Sequence, residues 1–130
     1  MKIILFVLIS LLSNPLFSAQ LGNILSFNEK NSEFDIQTSD GALIKILFYR
    51  PDIFRIWVGP DGNFTDPSED EKTPIVIYKG APIVVKQSEE NDYYKLESST
   101  CVLRVYKNPC MFALYKKDNS TLLFKETKPI

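Results

Sequence analysis

The densest group of side chains that could bind a ligand is an acidic stretch near the middle of the chain. Its carboxylates are Asp61, Asp66, Glu69, Asp70 and Glu71. Oxygen ligands of this kind bind calcium, but an EF-hand frame that starts at Asp61 puts Asp66 where glycine is required and Lys72 where glutamate is required. We therefore interpret this stretch as a solvated surface loop and expect no metal site in it.

Catalytic chemistry is constrained by what the composition lacks. Histidine is absent, which excludes Ser-His-Asp and Cys-His catalysis and histidine-based metal sites. The five glycines are scattered, so the sequence contains no phosphate-binding loop. Carboxylates that neighbour each other in a loop also do not form the rigid pair, about 5 Å apart, that retaining glycoside hydrolysis needs. The sequence therefore predicts no catalytic residue, no cofactor and no metal ligand.

Aromatic side chains are the remaining candidates, because they can stack on sugar rings. Tyr93 and Tyr94 fall on opposite faces of one predicted strand, so only one of the two rings can line an open surface. Phe64 lies in the acidic loop, where anchoring of the loop to the domain is the competing interpretation. Trp57 lies mid-strand on the same face as Ile53, and we expect it to pack in the core. Phe64 and Tyr93 are thus the two candidate substrate-binding residues.

The two cysteines, Cys101 and Cys110, are predicted to remain separate. A hairpin turn at Asn108 and Pro109 would place Lys107 opposite Cys110, and Cys101 then lies six strand residues further along. At about 3.3 Å per residue that separation is roughly 20 Å, far beyond the reach of a disulfide. We expect two separate, partly buried thiols, with an altered register or an intermolecular disulfide as the alternative.

The first 19 residues have the features of a secretory signal peptide. Lys2 precedes an apolar run at 3–12, and a polar step and small residues follow up to Ala19. The run is shorter than the roughly 18 residues that a membrane span needs. We expect cleavage after Ala19, with Ser18 as the second choice, and export to the periplasm or the extracellular space. The formal net charge of −1 and the lack of a basic block disfavour nucleic acid and anionic membranes as partners.

Residues 20–130 suffice for one domain at most and contain many short β-type segments. Alternating or β-branched runs predict strands at 23–28, 33–39, 42–49, 53–58, 74–78, 82–87, 93–106, 110–116 and 121–125. Turn residues separate them, such as Asp40 with Gly41 and Pro51 with Asp52. Since no segment has sustained helical periodicity, the pattern predicts an all-β, antiparallel β-sandwich.

Five runs of residues carry a likeness to a known protein family. They are FYRPDIFRIWVGPDGNFTDP at 48–67, YYKLE at 93–97, LRVYKNP at 103–109, FALYKKD at 112–118 and LLFKE at 122–126. Together they resemble the N-terminal β-sandwich region of glycoside hydrolase family 31, the α-glucosidase and α-xylosidase family, in its secreted bacterial form. The likeness extends over almost all of residues 21–130.

The resemblance implies a galactose mutarotase-like sandwich that packs against a (β/α)₈ barrel and supports catalysis without performing it. In the family, the barrel supplies two aspartates for retaining hydrolysis of α-glycosides. Neither the barrel motifs nor any site residue of the family has a counterpart in this sequence. Residues 126–130 resemble a linker within the family's sandwich, so we expect an incomplete sandwich that stops before the catalytic barrel.

Activity and partners follow from the same resemblance. This chain by itself is predicted to be inactive. The expected ligand is an α-linked oligosaccharide, which would bind to the catalytic barrel that this chain lacks. An incomplete sandwich leaves apolar faces and strand edges open, which predicts self-association.

Two other interpretations stay open. A complete signal peptide and the candidates Phe64 and Tyr93 also fit a stand-alone, exported β-sandwich module that binds a glycan or a protein. A small structural envelope protein is the third interpretation, and it would fold without any affinity for glycans. Saturable glycan binding that is lost on Phe64→Ala or Tyr93→Ala would single out the binding module.

Overall fold

A computed structural model describes residues 20–63 and 83–129 of the protein. Within these ranges all helix or strand structure is β-strand. The strands are β1 (Ile24–Lys30), β2 (Glu33–Thr38), β3 (Leu43–Arg50), β4 (Ile53–Gly59), β5 (Lys86–Glu89), β6 (Tyr93–Glu97), β7 (Cys101–Lys107), β8 (Cys110–Lys116) and β9 (Leu122–Lys125). The described ranges contain no helix that is long and apolar enough to cross a membrane.

The strands form two antiparallel sheets, each in simple chain order. β1 to β4 make a four-stranded sheet, and β5 to β9 make a five-stranded sheet. Tight turns join the neighbours because their residues accept a left-handed backbone. Gly41 before β3 has a φ of 89°, and Asn119 before β9 has a φ of 56°. The predicted all-β antiparallel sandwich is thereby confirmed.

One apolar core lies between the two sheets. The four-stranded sheet contributes Phe34, Ile36, Ile44, Ile46 and Phe48, and the five-stranded sheet contributes Leu96, Leu103, Val105, Cys110 and Phe112. Along β2 and β3 these buried residues alternate with exposed or half-buried ones, as expected for strands that present one face to a sandwich core. Phe27 of β1 also stacks on Tyr94 of β6, with ring centroids 4.1 Å apart, and so joins the sheets.

Polar contacts fix the sheets relative to each other as well. The amide of Cys110 donates a hydrogen bond of 2.9 Å to the carbonyl of Gly22, just before β1. At a second point the hydroxyl of Ser98, after β6, donates a hydrogen bond of 2.6 Å to the carbonyl of Pro51, between β3 and β4. These bonds connect segments that are far apart in sequence.

Most of the predicted strands are found, with ends that shift by one or two residues. The stretch 93–106, predicted as one element, is instead two strands, because Ser98 and Thr100 belong to a turn between β6 and β7. The strand predicted at 82–87 starts only at Lys86, since Ile83 and Val85 pack on the core before the ladder begins. The strand predicted at 74–78 lies outside the described residues.

Candidate functional site

The five-stranded sheet carries the candidate Tyr93 on its outer face, away from the core. In the register of β6 and β7 it lies opposite Tyr106, and alternation along β7 and β8 puts Arg104 and Tyr115 on the same face. We call Tyr93, Arg104, Tyr106 and Tyr115 the tyrosine–arginine cluster. Tyr94 packs against the core instead, so the prediction that the two adjacent rings lie on opposite faces is confirmed.

Arg104 is the centre of this cluster. Its guanidinium carbon lies 3.9 Å from the ring centroid of Tyr115 and 4.8 Å from that of Tyr93, which are cation–π distances. Its Nε donates a hydrogen bond of 2.9 Å to Oδ1 of Asn119, and its Nη2 donates one of 2.6 Å to the carbonyl of the same residue. The turn before β9 therefore fixes the guanidinium against the two rings.

Tyr106 and Tyr115 share a hydrogen bond that moves their pKa values in opposite directions. Burial raises the pKa of Tyr106, but the hydrogen bonds with Tyr115 and Arg104 and the charge of Lys125 outweigh burial and hold this pKa below its ordinary value. The hydrogen bond with Tyr106 raises the pKa of Tyr115, and burial adds to that effect. Lys125 Nζ lies 5.3 Å from the ring centroid of Tyr106. Tyr106 is thus the more acidic phenol of an electropositive cluster.

This geometry limits what Tyr93 can do. Arg104 lies over its ring, and the ring of Tyr106 lies 5.6 Å away at an interplanar angle of 58°, so Arg104 covers one of the two ring faces on which a sugar could stack. Half-buried tyrosine and arginine side chains are typical of contacts between proteins or domains. Tyr93 and Phe64 both stay candidate substrate-binding residues, and Phe64 lies outside the described residues.

The partners of Tyr93 could not be identified from residue type alone, because Arg104 and Tyr106 lie on another strand. The predicted hairpin at Asn108 could nevertheless have shown which residues of β7 and β8 share a face. Once Lys107 is placed opposite Cys110, as the structure confirms, alternation assigns each residue of β7 and β8 to a face. The missing information was the separate turn between β6 and β7, which sets the register of Tyr93.

The prediction that Trp57 packs in the core is wrong. Phe54, Ile56 and Val58 are the residues of β4 that pack on the core, and alternation puts Trp57 on the outer face of the four-stranded sheet. It is half-buried there, and the guanidinium carbon of Arg55 lies 4.2 Å from its ring centroid. Both faces of β4 carry large apolar side chains, so the pattern by itself could not decide which face meets the core.

The two cysteines are buried and lie far apart. Cys101 and Cys110 are both free and buried, at opposite ends of the β7–β8 ladder, which confirms their predicted separation. Burial raises the pKa of Cys110 to about 12, and the charges of Glu126 and Asp40 act in the same direction. The thiolate that metal binding or nucleophilic attack requires is therefore disfavoured at Cys110. Among the described residues, no group of histidine, cysteine or acidic side chains is arranged to hold a metal.

An apolar edge completes the outer surface of the five-stranded sheet. β9 ends the order of that sheet, and Leu122, Leu123 and Phe124 are each 50–56% exposed. Together with Met111 they line an open surface hollow of about 760 Å³. An exposed apolar edge strand is a surface on which a further strand can pair.

Comparison with known proteins gives structural matches only. No family model and no curated protein matches the sequence. A GH31 dextranase from Flavobacterium johnsoniae, solved in complex with glucose, matches 85% of this chain at 24% identity and a TM-score of 0.66. A cycloalternan-forming enzyme from Listeria monocytogenes, solved with a pentasaccharide substrate, matches 82% at 13% identity and a TM-score of 0.64. The chain spans only 13% and 9% of the lengths of these proteins, and at such identities the likeness shows a shared fold.

Proposed function

We propose that this chain is the N-terminal, non-catalytic β-sandwich region of an exported family 31 glycoside hydrolase, which acts on α-linked oligosaccharides through a barrel outside this chain. One observation carries the proposal: more than four-fifths of the chain shares its fold with a small part of much larger carbohydrate-active enzymes.

In this role the sandwich packs against the barrel and helps to shape the mouth of its active site. Two surfaces support that role. The apolar edge at β9 offers a place for further chain to pair, and the tyrosine–arginine cluster offers the kind of aromatic and cationic contact found between domains. When the chain is produced by itself, the same edge promotes self-association.

The proposal has a genetic and an enzymatic test. Sequencing of the DNA beyond the codon of Ile130, translated in all frames, is expected to show the rest of the sandwich and a barrel with its two aspartates. Purified residues 20–130 are expected to show no turnover of a chromogenic α-glucoside. An authentic stop codon followed by unrelated sequence, or clear turnover by this chain, would contradict the proposal.

A stand-alone, exported glycan-binding module is the second candidate function. The observation that favours it is an open groove on the outer face of the four-stranded sheet, where Asn28, Asp35, Gln37 and Lys45 are among the lining residues. A monomeric product that unfolds cooperatively and binds glycans saturably is the result that this candidate requires.

A further inference from the structure

The outer face of the four-stranded sheet carries two rows of polar side chains. The register of β1, β2 and β3 puts Asn28, Asp35 and Lys45 side by side in one row. It puts Ser26, Gln37 and Leu43 in the next row. These six side chains line a groove of about 270 Å³, which we call the polar groove. At the usual strand and residue spacings the two rows cover roughly 10 Å by 7 Å, the footprint of one or two sugar rings.

Local backbone structure helps to form the polar groove. The pairing of β1 with β2 shifts register between Ile24 and Ser26, which is a β-bulge beside the first residue of the groove. Bulges bend a strand and redirect its side chains, and they are common next to binding sites. Leu43, half-buried at the end of its row, adds an apolar side chain to the lining of the groove.

The polar side chains of the groove are available to a ligand. Asn28, Asp35 and Gln37 are exposed, and no hydrogen bond or ion pair within the described residues engages their side chains. Lys45 is held in place by Glu33, with Nζ 2.7 Å from a carboxylate oxygen. The groove therefore combines one fixed cation with two amides and a carboxylate that the fold does not use.

This combination suits a polyhydroxylated ligand. Amide groups both donate and accept hydrogen bonds, a carboxylate accepts from hydroxyl groups, and an ammonium group donates to them. Glu33 and Asp35 share this face with Lys30, Lys45 and Arg55, so the opposite charges nearly balance and no strong local field selects an anion over a neutral ligand.

We propose that the polar groove binds a neutral oligosaccharide, one or two sugar rings at a time, through Asn28, Asp35, Gln37 and Lys45. Binding at this face depends only on the four-stranded sheet. Sugar binding at the groove is therefore expected whether or not a catalytic barrel follows the chain. If the groove binds no sugar, the proposed role in a glycoside hydrolase is not affected.

Trp57 provides a direct signal for the test. It is the single tryptophan of the protein and lies opposite Lys45 in the register of β3 and β4. Titration with neutral trisaccharides of α-1,4, α-1,6 and β-1,4 linkage is expected to change its fluorescence saturably for at least one of them, with matching heat in calorimetry. An acidic trisaccharide, trigalacturonate, is expected to bind no more tightly than the best neutral sugar.

Variants identify the surface that binds. Asp35→Ala and Gln37→Ala are each expected to weaken binding about tenfold, the effect of one lost hydrogen bond to a well-placed partner. Asn91→Ala is the matched control, because Asn91 is also an exposed amide and lies in the turn between β5 and β6 on the other sheet. The Asn91→Ala variant should bind the sugar with the same affinity as the unaltered protein. Circular dichroism checks each fold, and Asn28→Ala replaces any variant that does not fold.

Three results would overturn the proposal. The first is the absence of any fluorescence change and heat with all neutral trisaccharides up to their solubility. The second is binding that survives in the Asp35→Ala/Gln37→Ala double variant. The third is binding that is lost in Tyr93→Ala but kept in both single groove variants, which would assign the ligand to the five-stranded sheet.

Discussion

Replacing Ser98 with alanine should destabilise the protein strongly for so small a change. The side chain is 2% exposed, and its hydroxyl donates a hydrogen bond of 2.6 Å to the carbonyl of Pro51 on the other sheet. The same oxygen accepts hydrogen bonds from the amides of Cys101 at 3.1 Å and Thr100 at 3.2 Å. One hydroxyl thus closes the turn between β6 and β7 and connects it to the turn between β3 and β4.

The expected loss of stability follows from the groups left without partners. Ser98→Ala removes the hydrogen-bond partner of the Cys101 amide and of the Pro51 carbonyl. Each buried polar group that loses its partner lowers the free energy of unfolding by about 1–3 kcal/mol. The thiol of Cys101 also donates to the Pro51 carbonyl at 3.3 Å, which reduces the loss there. The exposed Thr100 amide can turn to water. We expect the free energy of unfolding to fall by about 3 kcal/mol and the Tm by roughly 10 °C or more.

Ser88 provides the matched control, because its hydroxyl is also buried but makes no hydrogen bond within the described residues. Ser88→Ala should change the free energy of unfolding by less than about 0.5 kcal/mol, or increase it, since an unsatisfied polar group is removed. Urea unfolding followed by the fluorescence of Trp57 measures both variants. Equal losses in the two variants, or a Ser98→Ala variant as stable as the unaltered protein, would refute the reasoning.

Three further predictions concern the N-terminal segment, a thiol and a turn carboxylate. Gly22→Ala should lower the free energy of unfolding by about 1–3 kcal/mol in urea, because its Cβ would collide with Ser39 Oγ and lie 2.9 Å from Asp40 Oδ1, and both oxygens bind backbone amides there. The Cys110 thiol, whose pKa burial raises to about 12, should react with a chromogenic disulfide reagent at pH 8 only after unfolding; prompt reaction in the native protein would contradict this. The Asp118 carboxylate accepts hydrogen bonds from the Thr121 hydroxyl and from the Thr121 and Ser120 amides, which hold its pKa well below the usual range. Its contribution to stability is therefore present above about pH 4 and lost as the pH falls further, and Asp118→Asn should flatten that limb of a stability–pH profile.

Local chemistry was enough to predict most of the strands and turns. The hairpin at Asn108, the turn at Asp40 and Gly41 and the separation of the cysteines all follow from residue type and strand spacing, and the structure confirms each. The placement of Tyr93 and Tyr94 on opposite faces is equally local, because it follows from the two-residue period of a strand.

Errors arose where two local signals competed. Ser98 and Thr100 turn the chain inside a stretch rich in β-forming residues, and the turn was missed. In β4 large apolar side chains lie on both faces, so the face that carries Trp57 was predicted to meet the core. The face that packs on the core is instead the one that carries Phe54, Ile56 and Val58. Neither question has a local answer, since the neighbouring strand and the opposite sheet decide it.

The fold class, the hairpins and the alternation of faces can be predicted from the sequence, because they depend on residues that are close along the chain. Which side chains meet across strands depends on the folded protein as a whole. The polar groove needs three strands in register, and the tyrosine–arginine cluster needs Arg104 to reach the turn at Asn119. Such sites depend on strand register and sheet packing, which combine residues distant in sequence, and no single segment encodes them.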